Sequence, residues 1–139
     1  MVIICYFDGR IEPNPGGIGS IGVIIRKDGT EILREGRYIG EGEGYSSNVL
    51  EYVGLIRCLD FLLEQGLQNE RIIIYGDSQL VIMQMKGKWD VRGGAYEKYA
   101  VEAADKKRKF PDIDFTWIPK LENEECHNLA EEAVKNHGR

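Results

Sequence analysis

The chain has 139 residues, with 42% hydrophobic and 29% charged residues, four prolines and a net charge of −5. This length predicts a single domain over residues 1–139, and the composition excludes disordered and collagenous classes. The apolar runs are far shorter than the roughly 18 residues that a membrane span needs, and no cationic leader follows Met1, so we expect a cytoplasmic monomer that binds no membrane and has no obligate protein partner. Three cysteines without metal-ligand spacing predict buried reduced thiols.

The first half of the chain predicts three antiparallel strands followed by a helix. β-Branched residues dominate positions 2–7 and 18–26, on either side of a turn-forming stretch at 9–17. An Asp-Gly turn then leads into a third strand at 31–39. Ser46, Ser47 and Asn48 are possible caps for a helix that runs to about Gln65.

The second half of the chain predicts a parallel arrangement. Positions 71–75 are almost wholly apolar, which is typical of a strand buried on both faces. A helix to about Met85, a helical stretch at 94–109, a strand at 113–118 and a helix at 126–136 that starts near Asn123 follow. The order predicts an α/β fold with a five-stranded mixed sheet, in which an antiparallel meander is joined by two parallel strands, with helices on both faces. Strands one and four should lie side by side.

Three acidic residues occupy positions that this topology brings together. Asp8 and Asp77 follow strands one and four, and Glu51 lies in the first turn of the connecting helix. Clustered carboxylates repel one another, so such a cluster is expected mainly around a divalent cation, and oxygen ligands suit Mg²⁺ or Mn²⁺. Two such ions would support hydrolysis of a phosphodiester. The alternative is that Asp8 is a turn residue, Asp77 a helix cap and Glu51 a partner of the helix dipole.

Five blocks of sequence resemble the type 1 ribonuclease H family in order and spacing. They are Tyr6-Phe7-Asp8-Gly9, Asn14-Pro15-Gly16-Gly17, Ser47-Asn48-Val49-Leu50-Glu51-Tyr52, Gly76-Asp77-Ser78-Gln79-Leu80-Val81 and Asn123-Glu124-Glu125-Cys126-His127-Asn128-Leu129-Ala130. The resemblance covers nearly the whole chain. It implies a ribonuclease H-like fold and endonucleolytic cleavage of the RNA strand of RNA–DNA hybrids with two Mg²⁺ or Mn²⁺ ions, by a small form without a hybrid-binding domain or a long basic insertion. It also implies that Asp8, Glu51 and Asp77 are the first three catalytic acids.

The chain departs from the family pattern at two places. The fourth acid of the family falls at His127, which brings no negative charge; Asn128 is the alternative ligand. We favour His127 as the fourth catalytic and metal-binding residue, because it is in helical phase with Ala130. Positions 118–122 also lack the histidine that many relatives carry there, so we expect slow turnover unless Glu122 or Glu124 substitutes.

The same resemblance implies which residues contact the hybrid. The positions that in the family touch sugars, bases or phosphates in the minor groove are Gly9, Asn14, Ser47, Asn48 and Gln79. Beyond the Asp77 helix, cations alternate with an aromatic side chain at Lys86, Lys88, Trp89 and Arg92, which suits the DNA strand. The alternatives are a turn role for Asn14 and a core role for Trp89.

Two other functions remain open at this point. The first is a nucleic-acid-binding module of the same fold that has weak catalysis because the fourth acid is missing. The second is a related metal-dependent nuclease that acts on double-stranded RNA or branched DNA, since one fold hosts many functions.

Overall fold

In a computed structural model, which describes residues 1–137, one mixed sheet forms the centre of the protein. Its five strands are β1 (Val2–Glu12), β2 (Ile18–Lys27), β3 (Thr30–Glu41), β4 (Arg71–Gly76) and β5 (Ile113–Trp117). The strand order is β3-β2-β1-β4-β5. Strands β1 to β3 form the antiparallel meander, and β4 is parallel to both β1 and β5. The prediction that strands one and four are parallel neighbours is confirmed.

The helices cover both faces of the sheet, as expected. They are α1 (Ser47–Glu64), α2 (Gln79–Met85), α3 (Glu97–Lys107) and α4 (Glu124–His137), with a 3₁₀ turn at Lys120–Asn123. Neighbouring residues of a strand point to opposite faces. A Cβ atom at Gly9 in β1 would meet the backbone of Leu50 in α1, and one at Gly22 in β2, the partner of Asp8, would meet the backbone of Cys126 in α4. Helices α1 and α4 therefore lie on opposite sides.

The apolar core lies between the sheet and α1. Ile3, Cys5 and Phe7 of β1 and Val23 and Ile25 of β2 are fully buried there. Ile24 of β2 is also buried, because α4 covers the opposite face of this strand. All three cysteines are buried and free, as predicted. None of the helices in residues 1–137 is long and apolar enough to cross a membrane.

Strand β1 is longer than predicted. It continues to Glu12, because its antiparallel pairing with β2 extends to the pair Glu12↔Ile18, whereas its parallel pairing with β4 stops at Phe7↔Gly76. Asp8 therefore lies inside a strand rather than at its end or in a turn. It is nevertheless the first residue beyond the parallel pairing.

Helices α1 and α2 each begin with a serine cap. The Ser46 hydroxyl accepts a hydrogen bond from the backbone N–H of Val49 at 3.3 Å, and Ser78 caps α2 through Val81 at the same distance. Asp77 is therefore not the cap of α2, and its carboxylate is free for another role. These caps fix the starts of α1 and α2 and thereby the backbone positions of Glu51 and Asp77.

Candidate metal and nucleic-acid site

Three acidic side chains meet where β1 and β4 separate. Asp8 lies in β1 just beyond the parallel pairing, and Asp77 directly follows β4. Glu51 is the fifth residue of α1 and therefore lies just beyond its first turn, not in it as predicted. Gly9 allows this approach, because a Cβ atom there would lie 2.3 Å from the backbone nitrogen of Glu51. One carboxylate oxygen from each acid lies within 4.8 Å of the others. The structure therefore brings together the three acids that the sequence singled out.

Burial and mutual repulsion make these carboxylates expensive to ionise. Burial, followed by the charge of Asp77, raises the pKa of Asp8 to about 6. Burial and the two neighbouring acids also raise the pKa of Glu51 well above its ordinary value, and burial raises that of Asp77. Glu51 Oε2 is buried without a hydrogen-bond partner among residues 1–137. A set of oxygen atoms with one unpartnered member fits a hard divalent cation, which would offset the repulsion.

Asn123 holds one of these acids in place. Its side-chain amide nitrogen donates to the carbonyl oxygen of Phe7 at 2.8 Å and to Asp77 Oδ2 at 3.2 Å, and the residue is buried. As predicted, α4 begins directly after Asn123, but the side chain does not cap the helix, since its Oδ1 has no hydrogen-bond partner among residues 1–137. Its amide instead links the start of α4 to β1 and to the residue that follows β4.

His127 projects from α4 toward the acids. Its Nδ1 lies 3.4 Å from Asp8 Oδ2, and its side chain is 35% exposed. Asn128, the alternative ligand, is exposed and does not line the cleft that the acids share. Glu122 and Glu124, the possible substitutes for the histidine missing at 118–122, line a different cleft beside Tyr6. Of the candidates weighed for the fourth position, His127 is the one that the structure places beside Asp8.

The acids lie in an open cleft of about 600 Å³. Gly9, Ser47 and Asn48 line it, as expected for residues that contact a ligand there. Asn14 lies behind them, and its Oδ1 accepts a hydrogen bond from the backbone N–H of Ser47 at 3.2 Å. Asn14 therefore positions the beginning of α1 at the rim of the cleft.

The other predicted substrate contacts lie outside this cleft. Gln79 is exposed at the start of α2. Lys88 and Trp89 line a second cleft together with Arg92, and Trp89 is 43% exposed rather than a core residue. Lys86 lines a third cleft, which it shares with residues of β4 and β5. A ligand that reached Lys88 and Trp89 as well as the acids would have to extend along the surface, as a nucleic-acid duplex does.

Sequence reasoning missed several residues that line the acid cleft, among them Arg10, Trp117, Lys120 and Glu131. The Trp117 indole nitrogen donates to the backbone carbonyl of Asp77 at 3.1 Å. Lys120 partly offsets the raised pKa of Asp77 through its charge. Glu131 lies four residues after His127, so helical spacing carried a signal for it, whereas the predicted turn at 9–17 gave none for Arg10.

The chain matches a protein-family model and is similar to several known proteins. The family model described as "Reverse transcriptase-like" matches residues 6–133. Ribonuclease HI of Halobacterium salinarum is 33% identical over 129 residues, which is 93% of this chain and 62% of that protein. A bifunctional protein of Mycobacterium tuberculosis is 32% identical over 135 residues, which is 96% of this chain and 36% of that protein. The chain thus spans about a third of the mycobacterial relative and under two thirds of the halobacterial one.

Two solved structures share both the fold and a substantial part of the sequence. The crystal structure of RNase H1 from H. salinarum superposes with a TM-score of 0.86 at 31% identity, covering 98% of this chain and 99% of that one. LC11-RNase H1, crystallised in complex with an RNA/DNA hybrid, superposes with a TM-score of 0.89 at 30% identity, covering 99% of both chains. The similarity therefore extends over nearly the whole chain.

Proposed function

This chain belongs to the type 1 ribonuclease H family, and on that premise we propose that it cleaves the RNA strand of RNA–DNA hybrids by metal-dependent endonucleolytic hydrolysis. The observation that carries the proposal is the convergence of Asp8, Glu51 and Asp77 within 4.8 Å in a cleft open to solvent. Two buried carboxylates and a half-buried one, all with raised pKa values, are a costly arrangement that a cation-dependent reaction explains.

Asp8, Glu51 and Asp77 would hold the ions, with His127 beside Asp8 as the fourth group. When two Mg²⁺ or Mn²⁺ ions are bound, they supply an activated water and stabilise the leaving oxygen of the phosphodiester. Neighbouring side chains hold the three acids in position. Asn123 fixes the Asp77 carboxylate, and the Ser46 and Ser78 caps fix the helices that follow β3 and β4.

The rim of the cleft offers polar groups for the RNA strand. Gly9, Ser47 and Asn48 line it, with Asn14 behind Ser47. The 2′-hydroxyl is the group by which a protein tells RNA from DNA, and small polar rim residues suit it. Lys88 and Trp89 extend this surface along α2 and are available to the DNA strand through charge and stacking. The complex of the relative LC11-RNase H1 with an RNA/DNA hybrid supports this choice of substrate.

The substrate class is tested by comparing end-labelled duplexes of one sequence. Purified protein is incubated with an RNA–DNA hybrid, double-stranded RNA, double-stranded DNA and a branched DNA, each in Mg²⁺ and in Mn²⁺. We expect internal cleavage of the RNA strand of the hybrid alone. The variant Asp77→Asn is the control for contaminating nucleases, and it should be inactive.

Two results would replace the proposal by its alternatives. Preferential cleavage of double-stranded RNA or branched DNA, lost in Asp77→Asn, would identify a related nuclease. Hybrid binding without cleavage in either metal would identify a binding module of the same fold.

A further inference from the structure

His127 lies between two carboxylates on opposite sides of its ring. Nδ1 is 3.4 Å from Asp8 Oδ2, and Nε2 is 3.4 Å from Glu131 Oε2. Glu131 is one helical turn after His127 on α4 and lines the same cleft as the three acids. The imidazole therefore separates Glu131 from the site at which the three acids meet.

Both oxygens of the Glu131 carboxylate are already engaged by cations. Oε2 lies 3.3 Å from Arg10 Nη1, and Oε1 lies 3.4 Å from Lys135 Nζ. Its contacts hold Glu131 at the side of His127 that faces away from Asp8. It is therefore placed to act on the histidine rather than as a ligand of the cluster.

Histidines that bind metals commonly donate their second ring N–H to a carboxylate, which fixes the tautomer and the orientation of the ring. We propose that Glu131, held by Arg10, is a positioning residue that accepts the Nε2–H of His127 and so keeps Nδ1 directed at Asp8 and the cation. The inference rests on the proposed function, in which the cluster holds divalent ions. It explains how a histidine can serve at the position where the family has an acid.

The proposal is tested by measuring Mn²⁺ affinity without substrate, from the loss of the electron paramagnetic resonance signal of free Mn²⁺. Wild type, Glu131→Ala, His127→Ala and the double variant form a cycle that isolates their coupling. We expect Glu131→Ala to weaken binding about 10-fold in the wild-type background. In the His127→Ala background the same change should have almost no effect.

Two further variants separate positioning from a general effect on folding or charge. Glu131→Gln keeps a carbonyl acceptor for Nε2–H and should retain most of the affinity, whereas a role of net charge alone would make it as weak as Glu131→Ala. Glu132→Gln removes the same charge from the exposed neighbouring position and should match wild type. Circular dichroism and thermal melting confirm that each variant folds.

The inference is overturned if Glu131→Ala weakens Mn²⁺ binding equally with and without His127, if it leaves the affinity unchanged, or if wild type binds no Mn²⁺. Hybrid cleavage by wild type is scored separately. Coupling without cleavage would refute the proposed function while supporting the role of Glu131. Cleavage without coupling would refute the role of Glu131 alone.

Discussion

Replacing Asp8 by asparagine should stabilise the protein at pH 7 when a chelator keeps divalent ions away. Burial and the charge of Asp77 raise the pKa of Asp8 from 3.8 to about 6. A shift of about two pH units corresponds to about 3 kcal/mol, since each unit is about 1.4 kcal/mol.

The direction of the pH effect on stability follows from whether the folded or the unfolded protein holds the proton of Asp8. Between pH 3.8 and about 6 the folded protein keeps a proton on Asp8 that the unfolded chain has lost. Stability therefore falls as the pH rises through this window, and the cost is absent below it. An asparagine side chain cannot ionise, so Asp8→Asn should add about 2–3 kcal/mol to the free energy of unfolding at pH 7 and almost nothing at about pH 3.5.

Urea denaturation in EDTA at both pH values measures this difference. Asp90→Asn, which changes an exposed acid outside the cluster, is the matched control and should leave stability nearly unchanged. The reasoning is refuted if Asp8→Asn is no more stable than wild type at pH 7, or if it gains as much at the lower pH.

Three more variants test other parts of the account. Asn123→Ala removes the donor to Asp77 and should lower kcat on a hybrid about 10-fold with little change in KM, as steady-state cleavage would show; an unchanged kcat would contradict its positioning role. Gly22→Ala would place a Cβ atom 2.0 Å from a backbone oxygen of α4 and should lower the free energy of unfolding, measured by urea denaturation, by about 1–3 kcal/mol. Gly44→Ala, whose Cβ atom would meet nothing within 4 Å, should leave it nearly unchanged. Equal effects of the two variants would contradict the close packing of α4 on the sheet. Lys88→Ala should weaken hybrid binding and lower the slope of log affinity against log salt by about one, and an unchanged slope would rule out a phosphate contact.

The topology of the sheet was predictable because it depends on local patterns. The β-branched runs, the Asp-Gly turn and the apolar run at 71–75 each predict one element, and right-handed crossovers leave few arrangements for their order. The meeting of Asp8, Glu51 and Asp77 followed from that order. Asp77 directly follows β4, Asp8 is the first residue beyond the pairing of β1 with β4, and Glu51 lies near the start of the helix between β3 and β4.

The side chains that hold the site in place were not predictable in the same way. Asn123 bonds to the carbonyl oxygen of Phe7, 116 positions earlier in the chain, and nothing in the local sequence marks that contact. Local sequence places Arg10 in a turn, whereas the length of β1 depends on its pairing with β2, which is a tertiary property. Lys120 and Glu131 enter the cleft only once α4 is packed against the sheet.

The metal dependence of hybrid cleavage is the most direct test of whether Asp8, Glu51 and Asp77 act by holding divalent ions. Wild type and Glu51→Gln are treated with EDTA, and an end-labelled RNA–DNA hybrid is added before and after excess Mg²⁺ or Mn²⁺. We expect no cleavage by either protein in EDTA, cleavage of the RNA strand by wild type once the ion is supplied, and none by Glu51→Gln. Cleavage in EDTA, or full activity of Glu51→Gln, would contradict the conclusion that the three acids act by holding divalent ions.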